Sequence, residues 1–443
     1  MSEIGVGTQM LLAFFLLLFL KLPVAFALGL SAIFAMWQLG FGLEMVGDLI
    51  TTGITKYSLL AVPFFILAGA LMGVVGIAER MIQFFRVLIG GLPGGMGVVG
   101  TVVCLFWGAV SGSGPASVAA IGPLIIKSMV DDGYPKAFSA ALVCTGAALS
   151  IVIPPSIGLV IYGVIAETSI SDLFLAAIVP GLIMGILMLA TLPYAARGRA
   201  KALAASSAAG TGLMAQPHAH LPYFSRLWRA FVDAIWGLLT PVVILGGIYG
   251  GIFTPTEAAI IATVYAMFVG VVIYRTLTPK VLFSALADAS ASSAVVMLVV
   301  AFASLFGWVV TVDDVVGQYS TLLLGLSHNE WVILAVIAVI LLIAGMFMDA
   351  ITIMFITLPI FLPVVKELGW DPVWFGVILM VNLSIGLFTP PVGINLFVAA
   401  NITRLSLERI AIGAIPFLFT SLIGLTILSI FPWFSQFVLA YMK

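Results

Sequence analysis

Gly108-Ala-Val-Ser-Gly-Ser-Gly-Pro-Ala-Ser-Val-Ala-Ala-Ile-Gly122, followed by Ser150-Ile-Val-Ile-Pro-Pro-Ser-Ile-Gly158, decides how this chain is read. The same device returns as Gly345-Met-Phe-Met-Asp-Ala-Ile-Thr-Ile-Met-Phe-Ile-Thr-Leu-Pro359 and Gly386-Leu-Phe-Thr-Pro-Pro-Val-Gly-Ile-Asn395. An offset of 236 positions sets Pro123 on Pro359, Ser113 on Asp349 and Pro154-Pro155 on Pro390-Pro391; Gly73 with Gly307 and Pro23 with Pro255 lie close to it. A repeat that reaches across both halves is an architectural signal rather than a local one. Each copy holds helix breakers inside apolar sequence. In lipid such breaks survive only where the freed backbone is buried or lines a cavity.

Composition supports a bilayer setting. Of 443 residues, 63% are hydrophobic and 8% charged, and the mean hydropathy is +1.28. Apolar runs near the length of about 20 residues that spans a bilayer recur along the chain, so the fold class is an all-α polytopic membrane protein. The net charge of −1 gives no reason to expect nucleic acid. Cys104 and Cys144 sit in apolar runs as small packing residues, and His218, His220 and His328 sit in polar connections without metal-ligand spacing. The first apolar run leads into more apolar sequence with no small-residue cleavage site between, so no cleaved leader is expected.

Read in order, the first repeat covers 1–196, with spans at 9–20, 24–40 and 57–77, a hairpin at 96–126, a helix at 137–166 broken by Pro154-Pro155 and a span at 173–194. The connection 197–229 is Ala/Ser-rich and basic. The second repeat covers 230–443, with spans at 231–251, 257–274 and 290–312, a hairpin at 331–364, a broken helix at 374–402 and a closing span at 411–434. Each hairpin arm is short for a span, so both hairpins are re-entrant. One threading puts Lys21, Arg80, Arg86, Lys127, Arg275, Lys280 and Arg404 together in the cytoplasm, with Lys56, Lys366 and Lys443 as exceptions. In that threading the hairpins enter from opposite sides, and the two repeats are inverted.

Four helix breaks near mid-membrane carry the chemistry. A half-helix N-terminus offers free N–H groups and suits a carboxylate, and a half-helix C-terminus offers carbonyls and suits Na⁺. Each tip is expected to close over the Pro-Pro break of its own repeat. One oxygen cage would draw on Ser111, Gly112, Ser113, Gly146, Ser150 and Ile153. The other would draw on Gly345, Met348, Asp349, Asn382, Gly386 and Thr389. The substrate is expected between them, near Ser117, Asn382, Thr389, Pro390 and Asn395. No Lys or Arg lies in a tip or break, so a carboxylate would be held by helix N-termini, hydroxyls and amides, with Na⁺ helping.

Pro63-Phe-Phe-Ile-Leu-Ala-Gly69, the Ser-Gly-Ser tip, Ile153-Pro-Pro-Ser-Ile157, Gly246-Gly-Ile-Tyr-Gly-Gly-Ile-Phe-Thr-Pro-Thr-Glu-Ala-Ala259 and Thr389-Pro-Pro-Val-Gly393 together resemble the large membrane subunit of tripartite ATP-independent periplasmic (TRAP) transporters, over nearly the whole chain. The resemblance implies an elevator-type, Na⁺-coupled importer of organic acids in the bacterial inner membrane. It also implies a small four-helix membrane subunit and a periplasmic substrate-binding protein as partners. The chain departs from the pattern at Gly114-Pro115, where another small polar residue is expected.

Blander readings stand beside these. Ser111 to Ser113 can be a capped turn, Asp349 an N-cap, Glu257 a first-turn acid, and Asp313 with Asp314 solvated loop charges. Gly246, Gly247, Gly250 and Gly251 suit close helix packing, and the basic residues from Arg197 to Arg229 suit orientation and contact with anionic membrane lipid. A carboxylate at membrane depth is nonetheless a functional candidate. The rival mechanism is a stand-alone Na⁺/anion symporter of the same hairpin design. An intramembrane enzyme would need a catalytic partner for Asp349, which the sequence does not offer, and a passive channel suits inverted broken repeats poorly.

Overall fold

The computed structural model describes residues 5–92, 94–195, 222–313, 315–327 and 329–442. Among them the secondary structure is helical and contains no strand. Eight helical stretches are long and apolar enough to cross a membrane. This is a multi-pass membrane protein built from two inverted repeats, each with a re-entrant hairpin and a broken helix.

The first repeat opens with α1 (Val6–Phe19), α2 (Val24–Gln38), α3 (Leu43–Ile54), α4 (Ala61–Val74) and α5 (Ile77–Ile89). The hairpin follows as α6 (Met96–Ser111) and α7 (Gly114–Asp131), and the broken helix as α8 (Lys136–Ala148) and α9 (Ile157–Ile165); α10 (Ile170–Leu189) ends the repeat. The second repeat runs α11 (Tyr223–Tyr249), α12 (Pro255–Phe268), α13 (Pro279–Val312) and α14 (Val315–Leu326). Its hairpin is α15 (Glu330–Phe347) and α16 (Ala350–Glu367), its broken helix α17 (Pro372–Gly386) and α18 (Ile394–Thr403), and α19 (Leu407–Ile430) with α20 (Trp433–Met442) close the chain. At about 1.5 Å per residue the hairpin arms are about 24–27 Å long, less than the hydrocarbon thickness of about 30 Å.

Packing sorts these helices into two groups. α2, α3 and α4 pack on α13, α4 also on α12, and α5 on α11. Thr263 Oγ1 of α12 ties that layer to α4 by donating to the Phe64 carbonyl at 2.9 Å. The hairpins and broken helices form the other group, and its cross-repeat contacts mirror each other. The Asn395 amide donates to the Cys144 carbonyl at 2.8 Å, and the Tyr162 hydroxyl donates to the Pro372 carbonyl at 2.7 Å.

Several elements differ from the sequence reading. The expected 57–77 span is α4 followed by a separate α5, because Gly76 adopts φ +83° between them. α3, α5 and α14 were not anticipated; α5 has mixed composition because it buries Ile77, Met81, Ile82 and Phe85 on one face and leaves Glu79 and Gln83 outside. α13 starts at Pro279, well before the expected residue 290, with the Thr278 hydroxyl accepting from Val281 N–H at 3.4 Å. Asp313 is not a solvated loop charge: its Oδ2 accepts from Gly7 N–H at 2.6 Å and caps α1. Asp314, His218, His220 and His328 lie outside the described residues, as does the expected connection up to residue 221; α11 already begins at Tyr223, inside the expected 197–229. Of the four clustered glycines, only Gly247 is crowded by a side chain from outside its own helix turn, the Phe253 ring, while Gly246 and Gly251 face open space.

A close backbone approach in the second repeat joins α15 to α17. A Cβ on Gly386 would lie 2.6 Å from the Gly345 Cα. Gly386→Ala should therefore destabilise the protein by about 1–3 kcal/mol, read as a lower unfolding midpoint in detergent. Gly246→Ala, with nothing within 4 Å of the new methyl, should leave the midpoint unchanged or raise it by up to about 1 kcal/mol in stability.

Candidate substrate and ion site

Each hairpin tip meets the break of its own repeat. In the first, Ser111 ends α6, Gly112 takes φ +62° and donates its N–H to the Gly108 carbonyl at 3.3 Å, and Pro115 occupies the first turn of α7. The left-handed conformation at residue 112 favours glycine. A Cβ there would also press on Ile157 and the Pro155 carbonyl, at 3.2 and 3.5 Å. In the second repeat the Gly393 N–H donates to the Met346 carbonyl at 3.0 Å, joining tip to break directly. Both Pro154-Pro155 and Pro390-Pro391 peptides are cis.

Caps satisfy part of the freed backbone. Asp349 caps α16 twice over: Oδ1 accepts from Thr352 N–H at 3.0 Å and Oδ2 from Thr352 Oγ1 at 2.6 Å. Ser156 caps α9, accepting from Leu159 N–H at 3.3 Å. Other hydroxyls turn back on their own helices. Ser117 donates to the Ser113 carbonyl at 2.7 Å, Ser150 to Ala147 at 2.6 Å and Thr389 to Ile385 at 2.6 Å. Such back-bonding is the usual way a hydroxyl in an apolar helix is satisfied. The Gly146 carbonyl accepts from Leu149 N–H, and the Ile153 side chain packs between Gly108 and Gly181.

Among the described residues, two buried carboxamide oxygens accept no hydrogen bond: Asn382 Oδ1 and Asn395 Oδ1. Their amide nitrogens are used, on the Ala338 carbonyl at 2.9 Å and the Cys144 carbonyl at 2.8 Å. A Cβ added to Gly114 would sit 3.1 Å from Asn395 Oδ1, so this free oxygen faces the first tip from the opposite repeat. Unpaired buried carboxamide oxygens are costly unless a cation or donor completes them.

Between the two helix groups lies a cavity of about 770 Å³. Ser111, Gly112, Ser113 and Asp349 line it on one side, and Gly69 and Gly73 of α4 with Asp288 and Ser292 of α13 on the other. Of the residues expected to bind ions, these four are brought to one space, while Gly146, Ser150, Ile153, Gly345, Met348, Gly386 and Thr389 do not line it. None of the residues expected at the substrate lines it either: Ser117, Asn382, Thr389 and Asn395 are buried beneath the tips, and Pro390 is half-buried in the second break.

Sequence reasoning missed Asp288. It sits at the polar start of α13, outside the span expected from residue 290. The available signal was periodicity: Ala285, Asp288, Ala289, Ser292 and Val299 share one helix face and line the cavity. The charged residues on the cavity wall are Asp288 and Asp349; no Lys or Arg among the described residues lines it.

Residues 11–434 match the family model described as the DctM component of the tripartite ATP-independent periplasmic transporter. The chain belongs to this family. It is 39% identical over 425 residues to an isethionate TRAP transporter permease of Oleidesulfovibrio alaskensis, covering 96% of this chain but 65% of that longer relative. It is 41% identical over 381 residues to a C4-dicarboxylate TRAP transporter large permease of Pseudomonas aeruginosa, covering 85% and 84% of the two chains. The fold is similar to the crystal structure of the Alcanivorax borkumensis YdaH transporter, with TM-score 0.62 and 15% identity over 89% of each chain.

The wall assignments have a direct check. In purified protein, a thiol at Ser292→Cys should react with a polar alkylating reagent roughly tenfold faster than one at Ser117→Cys or Asn395→Cys, since access governs thiol reactivity here. The native Cys104 and Cys144 are buried and should stay silent. Equal rates at all three positions would misplace the cavity.

Proposed function

We propose that the protein imports a small organic acid across the bacterial inner membrane, coupled to Na⁺, as the large membrane subunit of a TRAP system. A periplasmic binding protein delivers the acid, and a small four-helix subunit docks on the scaffold of α2, α4, α12 and α13. The observation that carries the reading is the charge of the cavity: two carboxylates, Asp288 and Asp349, and no basic residue among the described residues on its wall. An organic anion entering that space meets like charge in a medium of reduced dielectric, where repulsion is stronger than in water. Cations must enter with it. The relatives named for isethionate and C4-dicarboxylates support a sulfonate or carboxylate as the cargo.

The same geometry supports a reading of the ion sites. Asp349 Oδ2, the carbonyls of the tips and the free Asn382 and Asn395 oxygens are hard oxygen donors, suited to Na⁺. The acid binds against the tips, at Ser111 and Ser113 and the N-terminus of α7, with the buried Ser117, Asn382, Thr389, Pro390 and Asn395 supporting them from below. Filling the ion sites stiffens both tips and lowers the cost of bringing in the anion. The cavity runs from the tips along Ala116 to Ala120 of α7 and Ala285 to Val299 of α13. This is the half of α13 next to Arg275 and Lys280, which the positive-inside rule assigns to the cytoplasm; the conformation faces inward. Sliding of the hairpin group against the scaffold moves the site to the other side, the elevator step.

Asp349→Asn separates capping from coupling, because Asn caps as well as Asp. The variant should unfold at the same temperature, yet raise the half-saturating Na⁺ for uptake about tenfold, since a charge-assisted ligand contributes about 1.5–3 kcal/mol. The class of transporter is tested in proteoliposomes with candidate acids and an inward Na⁺ gradient. Uptake should require the binding protein, the small subunit and Na⁺ together. Rapid uptake of free acid by this chain alone, or uptake with K⁺ in place of Na⁺, contradicts the proposal.

A further inference from the structure

A second cavity, about 490 Å³ and separate from the first, lies between α5, α7 and α11. Gln83 and Arg86 of α5, Ser128 of α7, and Arg226 and Arg229 of α11 face it; so do two acids, Glu79 and Asp233. Three guanidiniums thus stand against two carboxylates, an excess of one positive charge. The nearby Arg80 is committed elsewhere: its Nη1 donates to the Gly76 carbonyl at 2.6 Å and its guanidinium lies 3.7 Å from the centre of the Tyr274 ring. Guanidiniums bind phosphate oxygens through paired N–H donors, and they are weakly hydrated, so they suit a partly dry site.

The position favours a lipid over a free ion. Arg226 and Arg229 lie in the first two turns of α11, where the chain enters its apolar run, and Arg86 lies in the last turn of α5. On α11, Phe224, Trp228 and Val232 stand four residues apart and are 77%, 61% and 47% exposed, one apolar stripe of which Trp228 and Val232 also reach the cavity mouth. A free phosphate would use the guanidiniums alone. A phospholipid uses both features, with its headgroup between the arginines and its acyl chains along the stripe, an arrangement typical of basic pockets between membrane helices.

We propose that this cavity holds the phosphate headgroup of an anionic phospholipid. α5 and α11 pack on each other and α7 is the second arm of the first hairpin, so the headgroup bridges the two helix groups; its binding does not depend on the transport reading, although an effect on rate would.

The test uses the purified full chain in neutral detergent, titrated with dioleoylphosphatidylglycerol, with dioleoylphosphatidylcholine and with inorganic phosphate. Phosphatidylglycerol should raise the unfolding midpoint, and the other two should not. Arg86→Gln with Arg229→Gln should lose more than half of that shift, and Arg86→Lys with Arg229→Lys should retain part of it. Native mass spectrometry of the same variants counts retained phosphatidylglycerol, so a fall in lipid-free stability does not mask the result. An equal response to phosphatidylcholine, an equal shift with phosphate alone, or undiminished lipid retention in the Gln variant would each overturn the proposal.

Discussion

Backbone polar groups released at membrane depth must find partners, and the rest of this structure depends on how that demand is met. Each Pro-Pro break frees N–H and carbonyl groups where no lipid can satisfy them. The second hairpin tip meets part of the need: Gly393 N–H reaches the Met346 carbonyl. Side chains meet another part, with Ser156 and Asp349 capping the helices that restart. The Asn382 and Asn395 side-chain oxygens, buried beside the second break, remain without a partner.

Much of this was legible in the residues. Pro154-Pro155, Pro390-Pro391 and the Ser-Gly-Ser tip stand out against apolar surroundings, because a helix breaker in a spanning segment has few harmless explanations. Amphipathic helices at the membrane surface were harder to find. α5 alternates Glu79, Arg80, Gln83 and Arg86 with buried apolar residues, so a search for continuous apolar runs ends it at its first acid. Asp313 was read as a loop charge because its partner, Gly7 N–H, lies 306 positions away. No local pattern encodes a cap of that range.

The candidate site was legible in its composition but not in its facing. Ser111 to Ser113 and Asp349 do reach the cavity, whereas Ser117 and Thr389 spend their hydroxyls on carbonyls one turn back. Whether a hydroxyl points to a cavity or to its own helix depends on a rotation of one bond, which sequence spacing does not constrain. Asp288 illustrates the reverse case. Its neighbours looked like the polar prelude to a span, yet the continuous α13 carries it onto the cavity wall opposite the tips. With Asp349 it makes the space electronegative, and that sign is the physical basis of the cation coupling proposed above.

The two hairpins enter from opposite faces of the membrane, and their tips line one cavity. Single cysteines at Gly91, ahead of α6, and at Asn329, ahead of α15, both exposed, measure this directly in intact cells exposed to a membrane-impermeant maleimide. Asn329→Cys should be labelled in intact cells and Gly91→Cys only after permeabilisation. Labelling of both from the same side would contradict the inverted arrangement on which the proposed ion sites and transport cycle rest.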